Sequence, residues 1–223
     1  MNFKFVAALA CALVPTFVFA QSNDVDGFTV QISSGFERSN SNLNDISFKG
    51  SSTRYTRSGV SDNYVPVNLG VGYTKSISDK FTLGALVEYN PETTNLGVSQ
   101  QFFAGAYQST ADCSVKIHDQ LRFSLVPGYK LNGKNLVYMK LSYVVSDVDQ
   151  SPNDGAATTS RRLNGWGGGL GYKYLLTQNW QVFAEANYAK YSNKTSVVAS
   201  SPSFSNTASL HHSDMLLGVG YKF

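Results

Sequence analysis

The chain has 223 residues, of which 15% are charged and 13% aromatic, with 19 glycines and a formal net charge of +3. So small a charge gives no argument for nucleic acid or any other charged partner. Beyond the N-terminal segment no apolar run approaches the roughly 18 residues of a membrane-spanning helix. Low charge beside abundant aromatic residues and glycine suits a membrane β-barrel better than a soluble domain.

Residues 1–20 carry one cation, Lys4, then an apolar run broken by Pro15 and ending Val18-Phe19-Ala20. This pattern predicts a secretory signal peptide over 1–20 and one barrel domain over 21–223. A lipoprotein signal ending at Cys11 is the alternative, but the apolar run before Cys11 is short and Ala8 stands where a larger aliphatic is usual. Once the signal is removed Cys113 is alone, so neither a disulfide framework nor a cysteine metal site is expected, and no cofactor is implied.

Eight segments alternate with a period of two, the mark of strands with two distinct faces. The first is Gly27–Arg38, with Phe28, Val30, Ile32 and Phe36 on its apolar face. Tyr64–Lys75 follows, with Pro66 near its start, where a missing N–H does least harm at a strand end. Phe81–Asn90, Val115–Lys130 and Leu136–Asp147 are the third to fifth. The sixth and seventh form a hairpin within Leu163–Ser192. There Trp166, Gly168, Leu170, Tyr172 and Tyr174 oppose Gly165, Gly167, Gly169, Gly171 and Lys173, and Trp180 to Tyr188 alternates likewise. Ser209–Phe223 is the eighth. Ser76–Lys80, Leu131–Asn135 and Leu175–Asn179 are short turns, while Ser39–Asn63, Pro91–Ser114, Val148–Ser160 and Asn193–Ala208 are long polar loops.

The pattern predicts an all-β fold: an eight-stranded antiparallel up-and-down transmembrane barrel with short periplasmic turns and four long extracellular loops. Its apolar faces, ended by Trp or Tyr, would meet lipid. A secreted soluble barrel of the lipocalin sort is the rival fold. It would turn those aromatic ends inward and set Gly70, Gly72, Gly84, Gly128, Gly218 and Gly220 outward.

The hairpin motif GLGYKY…NWQVFAEANYAKYS and the ending GVGYKF resemble the opacity-like, outer-membrane-protein-A-like small β-barrel family of Gram-negative bacteria. The pattern extends over the mature chain, and the close likeness is confined to Leu163–Ser192 and the C-terminus. The resemblance implies location in the outer membrane, with outer-membrane lipid and lipopolysaccharide as surroundings. It also implies that Gly218, Tyr221 and Phe223 form the signal read by the outer-membrane assembly machinery. Leu216 departs from that signal, which often has a polar residue there. Members of this architecture serve as structural proteins, adhesins, small pores and occasional enzymes.

Eight strands enclose a lumen filled by side chains, so the inward residues decide whether anything passes. Glu88, Arg122, Lys140 and Glu185 share inward parity, and Glu88–Arg122 is the expected direct pair. Glu185 is expected opposite Gly169 and Gly218. The resulting expectation is a structural or surface-interacting, adhesin-like barrel with a polar plug and no catalysis. A narrow porin-like channel is the alternative. A third reading, a rim hydrolase, would use His118, His212, Asp214 and Ser213. Arg54, Tyr55 and Arg57 in the first long loop are candidates for contact with host surface molecules or lipopolysaccharide. In intact cells, labelling reagents should reach Ser39–Asn63 and Asn193–Ala208 but not Leu131–Asn135; surface labelling of Asn132 would overturn the orientation.

Overall fold

The computed structural model describes residues 25–223 apart from 44–45, 49–53, 58–59, 100, 104–105, 108–112, 153–157, 193 and 198–203. The expected signal peptide lies outside these residues. Eight long strands carry the fold: β1 Gly27–Leu43, β2 Val67–Ser76, β3 Phe81–Asn90, β4 Cys113–Lys130, β5 Asn135–Pro152, β6 Thr159–Leu175, β7 Trp180–Tyr191 and β8 Phe204–Lys222. Each pairs antiparallel with the next in sequence. β8 then pairs back onto β1 from Thr29↔Lys222 to Leu43↔Ala208. This seam closes the sheet, which removes the unpaired edges that lipid would not tolerate.

The register determines the shape. Following cross-strand partners from Arg38 leads through Ser213, Tyr188, Gly168, Leu141, Leu125, Ala85 and Tyr73 back to Phe28 on β1. One circuit therefore drops ten residues along β1, from Arg38 to Phe28. With strands about 4.8 Å apart and about 3.3 Å per residue, that stagger tilts them by about 40°.

Alternation is sharp. On β8, Met215 and Leu217 are 70% and 71% exposed, whereas Leu216 between them is 2% exposed. The apolar set faces outward on every strand, which rules out the lipocalin arrangement. Outward aromatic residues gather in two rings. The turn-side ring includes Phe28, Phe81, Tyr129, Trp180 and Tyr221, with Phe81–Tyr129 and Trp180–Tyr221 centroids 5.3 and 5.2 Å apart. The loop-side ring includes Phe36, Tyr143, Trp166 and Tyr188, with Tyr143–Trp166 centroids 5.2 Å apart. Phe28 to Phe36 spans about 20 Å along the barrel axis at that tilt, close to the height of an outer-membrane apolar band.

Three departures from the expected pattern have local causes. The long loops are partly strand: β5 and β6 remain paired to Gln150↔Thr159, and Thr94–Ser99 pairs with β4. At the top of β8, short strands Ile46–Phe48, Arg54–Arg57, Gln101–Phe103 and Ala106–Tyr107 pair in succession, joining segments of the first two loops to the wall. The side chains of Arg54, Tyr55 and Arg57 lie outside the described residues. Second, Val65-Pro66 separates Val60–Tyr64 from β2, since proline donates no ladder hydrogen bond. Third, β4 carries a bulge between His118 and Leu121, with Asp119 at φ 51°. Asp is one of the few non-glycine residues that adopt this left-handed conformation. The extra residue reverses parity above it.

Inward Gly169 leaves no room for a side chain. A Cβ there would stand 2.0 Å from Asn187 Oδ1 and 2.8 Å from the Ala186 carbonyl oxygen. Outward Gly168 would meet only the Lys140 carbonyl oxygen, at 3.4 Å. Gly168→Ala should therefore refold in lipid like the parent, while Gly169→Ala loses stability. Leu141→Arg, on the lipid face, should cost about 2–4 kcal/mol in vesicle unfolding. Equal tolerance of both glycine changes would mean that β6 and β7 do not approach this closely.

Candidate functional site

A set of inward polar residues forms one connected chain through six strands. Lys140 on β5 lies at its centre, with its Nζ 2.6 Å from Glu88 Oε2 on β3 and 2.9 Å from Glu185 Oε2 on β7. The Lys140 side chain has no exposed surface. Tyr138 donates to Glu185 Oε1 at 2.7 Å. Asn187 Nδ2 reaches Glu185 Oε2 at 3.3 Å and Asp214 Oδ1 at 2.6 Å. Arg122 on β4 crosses the lumen to Asp214 Oδ2 on β8, 2.7 Å away. His212 continues the chain, with Nε2 3.2 Å from Asp214 Oδ2 and Nδ1 2.9 Å from Glu37 Oε1 on β1. Ser39 Oγ shares that Nδ1 at 3.2 Å.

The chemistry follows from burial. A carboxylate or ammonium removed from water costs several kcal/mol, roughly, unless paired and hydrogen-bonded. Here each carboxylate receives at least one charged or polar donor. Both His212 nitrogens face carboxylates, and an imidazole donates from both only when it carries both protons. Glu37, His212 and Asp214 place their ligand atoms within 4.8 Å of one another, an oxygen–nitrogen set of the kind that holds divalent metals. In this geometry those atoms are engaged with each other.

The expected network is thus regrouped. Glu88, Lys140 and Glu185 meet. Arg122 is the cross-strand partner of Glu88 by register, yet its guanidinium pairs with Asp214. The reason is competition: Lys140 takes Glu88, and an arginine is long enough to span a lumen this narrow. Glu185 lies opposite Gly171 and Leu216, one alternation away from the expected Gly169 and Gly218. Gly171 admits the Tyr138 ring, since a Cβ there would stand 2.2 Å from Tyr138 Cζ. Glu37, Tyr138 and Asn187 were not singled out in the sequence. Their inward parity was visible, but parity says nothing about reach across the lumen.

The rim-hydrolase set is not assembled. The β4 bulge turns His118 outward, where Nδ1 lies 3.0 Å from Asp119 Oδ2 and Nε2 3.3 Å from Asp149 Oδ2. Burial, the largest influence on His118, opposes its charge, but the Asp119 hydrogen bond and the Asp149 charge outweigh it and raise its pKa. The Tyr89 hydroxyl and then His118 hold the Asp119 carboxyl below its ordinary value. Arg162 is bidentate on Asp147 at 2.8 and 2.9 Å. Ser213 faces outward, away from the buried His212.

Apolar clusters bound the charged layer. Toward the loops lie Leu96, Val115, Ile117, Val144, Val148, Leu163, Ala189, Tyr191 and Leu210. Toward the turns lie Val25, Leu136, Tyr138 and Leu175, with Val126 against them. At the C-terminus, Gly218 receives the Phe183 ring, while Tyr221 and Phe223 face outward with centroids 5.0 Å apart.

A family model described as outer membrane protein beta-barrel domain matches residues 6–223. Among solved structures, the outer membrane protease OmpT from Escherichia coli shares 10% identity, with 93% of this chain and 99% of that one covered at a TM-score of 0.53. The outer membrane protein OprG from Pseudomonas aeruginosa shares 18% identity over 90% and 98% of the two chains at a TM-score of 0.49. Ail, the attachment invasion locus protein of Yersinia pestis, shares 14% over 89% and 100% at a TM-score of 0.47. No curated protein matches by sequence.

The lumen contacts specify their own test. Lys140→Met should cost about 3–5 kcal/mol in vesicle unfolding, because it leaves two buried glutamates without their cation. Double-mutant cycles should give Arg122–Asp214 a coupling of about 1–3 kcal/mol, larger than Arg122–Glu88. The reverse order would restore Glu88 as the partner of Arg122.

Proposed function

The chain belongs to the outer membrane protein β-barrel family, and on that premise we propose that it is a closed barrel presenting a surface for interaction, not a pore. The observation that carries this reading is the buried Lys140 network held between two apolar clusters. A permeating ion would have to break paired charges and also pass the buried side chains of two apolar clusters. Location in the outer membrane of a Gram-negative cell follows from the family, and the lipid of that membrane meets the outward apolar band.

The interaction surface is the strand-built rim. Short strands from the first two loops hang on β8, so this part of the rim is a paired sheet extension. Arg54, Tyr55 and Arg57 fall on one of its strands, suited to an adhesin-like role toward host surface molecules. Residues 1–20 direct export in this reading, and Gly218, Tyr221 and Phe223 present the C-terminal strand to the assembly machinery. No chemistry is assigned to the rim histidine and aspartates.

Planar-bilayer recording on the refolded mature protein tests the closed state. The wild type should show no sustained open level, and Tyr138→Ala, which thins the turn-side cluster beside Gly171, should show brief openings. A sustained open level in the wild type would establish the narrow channel instead.

A further inference from the structure

We propose that the outward face of β1, β8 and β7, just beyond the loop-side aromatic ring, binds the phosphate groups of an outer-leaflet lipid. The site consists of Arg38, His211 and Lys190. Outward parity is set by register: Arg38 pairs with Ser213, and His211 pairs with Lys190. Because each neighbouring strand is staggered by a little over one residue, the three Cα atoms lie at nearly the same height. Each stands two or so residues beyond the ring formed by Phe36 and Tyr188. That is the level of lipid head groups, directly above the apolar band of Ile32, Met215 and Leu217 that receives acyl chains.

Charge complementarity selects the ligand. Arg38 and Lys190 are exposed, and neither makes an ion pair with a described carboxylate. Acids at this level on the same strands face the lumen: Glu37 and Asp214 are buried in the network. Asp62 is the partner of the inward Ser39. Outward acids Asp119, Asp147 and Asp149 lie on β4 and β5, across the barrel, where His118 and Arg162 answer them. The basic face is therefore not neutralised by the acids among the described residues.

His211 is oriented for the same task. Its Nδ1 lies 2.8 Å from the Tyr188 hydroxyl, and the two rings stack with centroids 6.1 Å apart. When the hydroxyl donates to Nδ1, Nε2 carries the proton and is a donor. Arg38 offers a planar fork matched to phosphate oxygens, and Lys190 a mobile point charge. Two strand spacings and two residues along the strand separate Arg38 from Lys190, about 12 Å between Cα atoms, within reach of one diphosphorylated head group. The adjoining apolar band favours an amphiphile over a free anion. This inference depends on the membrane location alone and is independent of whether the lumen conducts.

Binding of lipid A to the detergent-solubilised mature protein, followed by native mass spectrometry, tests it. The wild type should bind diphosphorylated lipid A, and Arg38→Gln with Lys190→Gln should lose about tenfold in affinity. Lys134→Gln at the turn end should bind like the wild type. Folding of every variant is checked by β-sheet circular dichroism, and these exposed outward positions leave the wall intact. Unchanged affinity in the double variant, or equal wild-type binding of dephosphorylated lipid A, would overturn the site. Displacement of the lipid by millimolar inorganic phosphate would also overturn it, assigning the residues to a free anion.

Discussion

Lys140 places an ammonium at the centre of the barrel with no access to water, and the strands around it are built to that requirement. Glu88 and Glu185 approach it from β3 and β7, and Tyr138 and Asn187 hold Glu185 in turn. An eight-stranded lumen has no room for all these side chains if every wall position carries one. β2 and β6 supply no member of the chain; they supply glycine instead, at Gly70 and Gly72 and at alternate positions from Gly165 to Gly171. The glycine run that looks like a weak strand is the space into which Tyr138 and Asn187 fold. Its backbone needs no side-chain packing to remain straight, because both neighbours hold it by hydrogen bonds.

The second pairing, Arg122 with Asp214, ties opposite walls together. Ladder hydrogen bonds join only adjacent strands, so a guanidinium that spans β4 and β8 braces the barrel in a direction the sheet itself does not. Through Asp214 and Asn187 this brace is continuous with Lys140, and through His212 it extends to Glu37 at the closing seam. A buried network of paired charges is costly to disturb, because removing one member leaves its partner uncompensated.

Outside, one register decides two features. The ten-residue stagger that tilts the strands also brings aromatic residues distant in sequence to common heights, so the rings form around the whole wall. The same stagger levels Arg38, His211 and Lys190. Among the described residues, Arg38 and Lys190 near the β1–β8 seam have no carboxylate partner, whereas the acids around the β4 bulge are paired.

Period-two alternation in the sequence was enough to determine eight strands, their inward and outward faces and the up-and-down order, because each depends only on residue parity and on which connectors are short. Outward Leu141 and Leu217, and inward Glu88, Lys140 and Glu185, follow from that rule alone. Three kinds of information did not reside in parity. Which charges meet depends on side-chain length across a closed lumen, so Arg122 passes its register neighbour Glu88 and reaches Asp214. The orientation of His118 depends on one inserted residue, which reverses the faces above it and leaves no trace in the composition of the segment. Parity sets Gly168 outward and Gly169 inward, but that a methyl at Gly169 would run into Asn187 Oδ1 depends on the approach of β7. Parity is local to a strand, whereas contact, bulge and approach belong to the closed sheet, so the tertiary structure alone decided them.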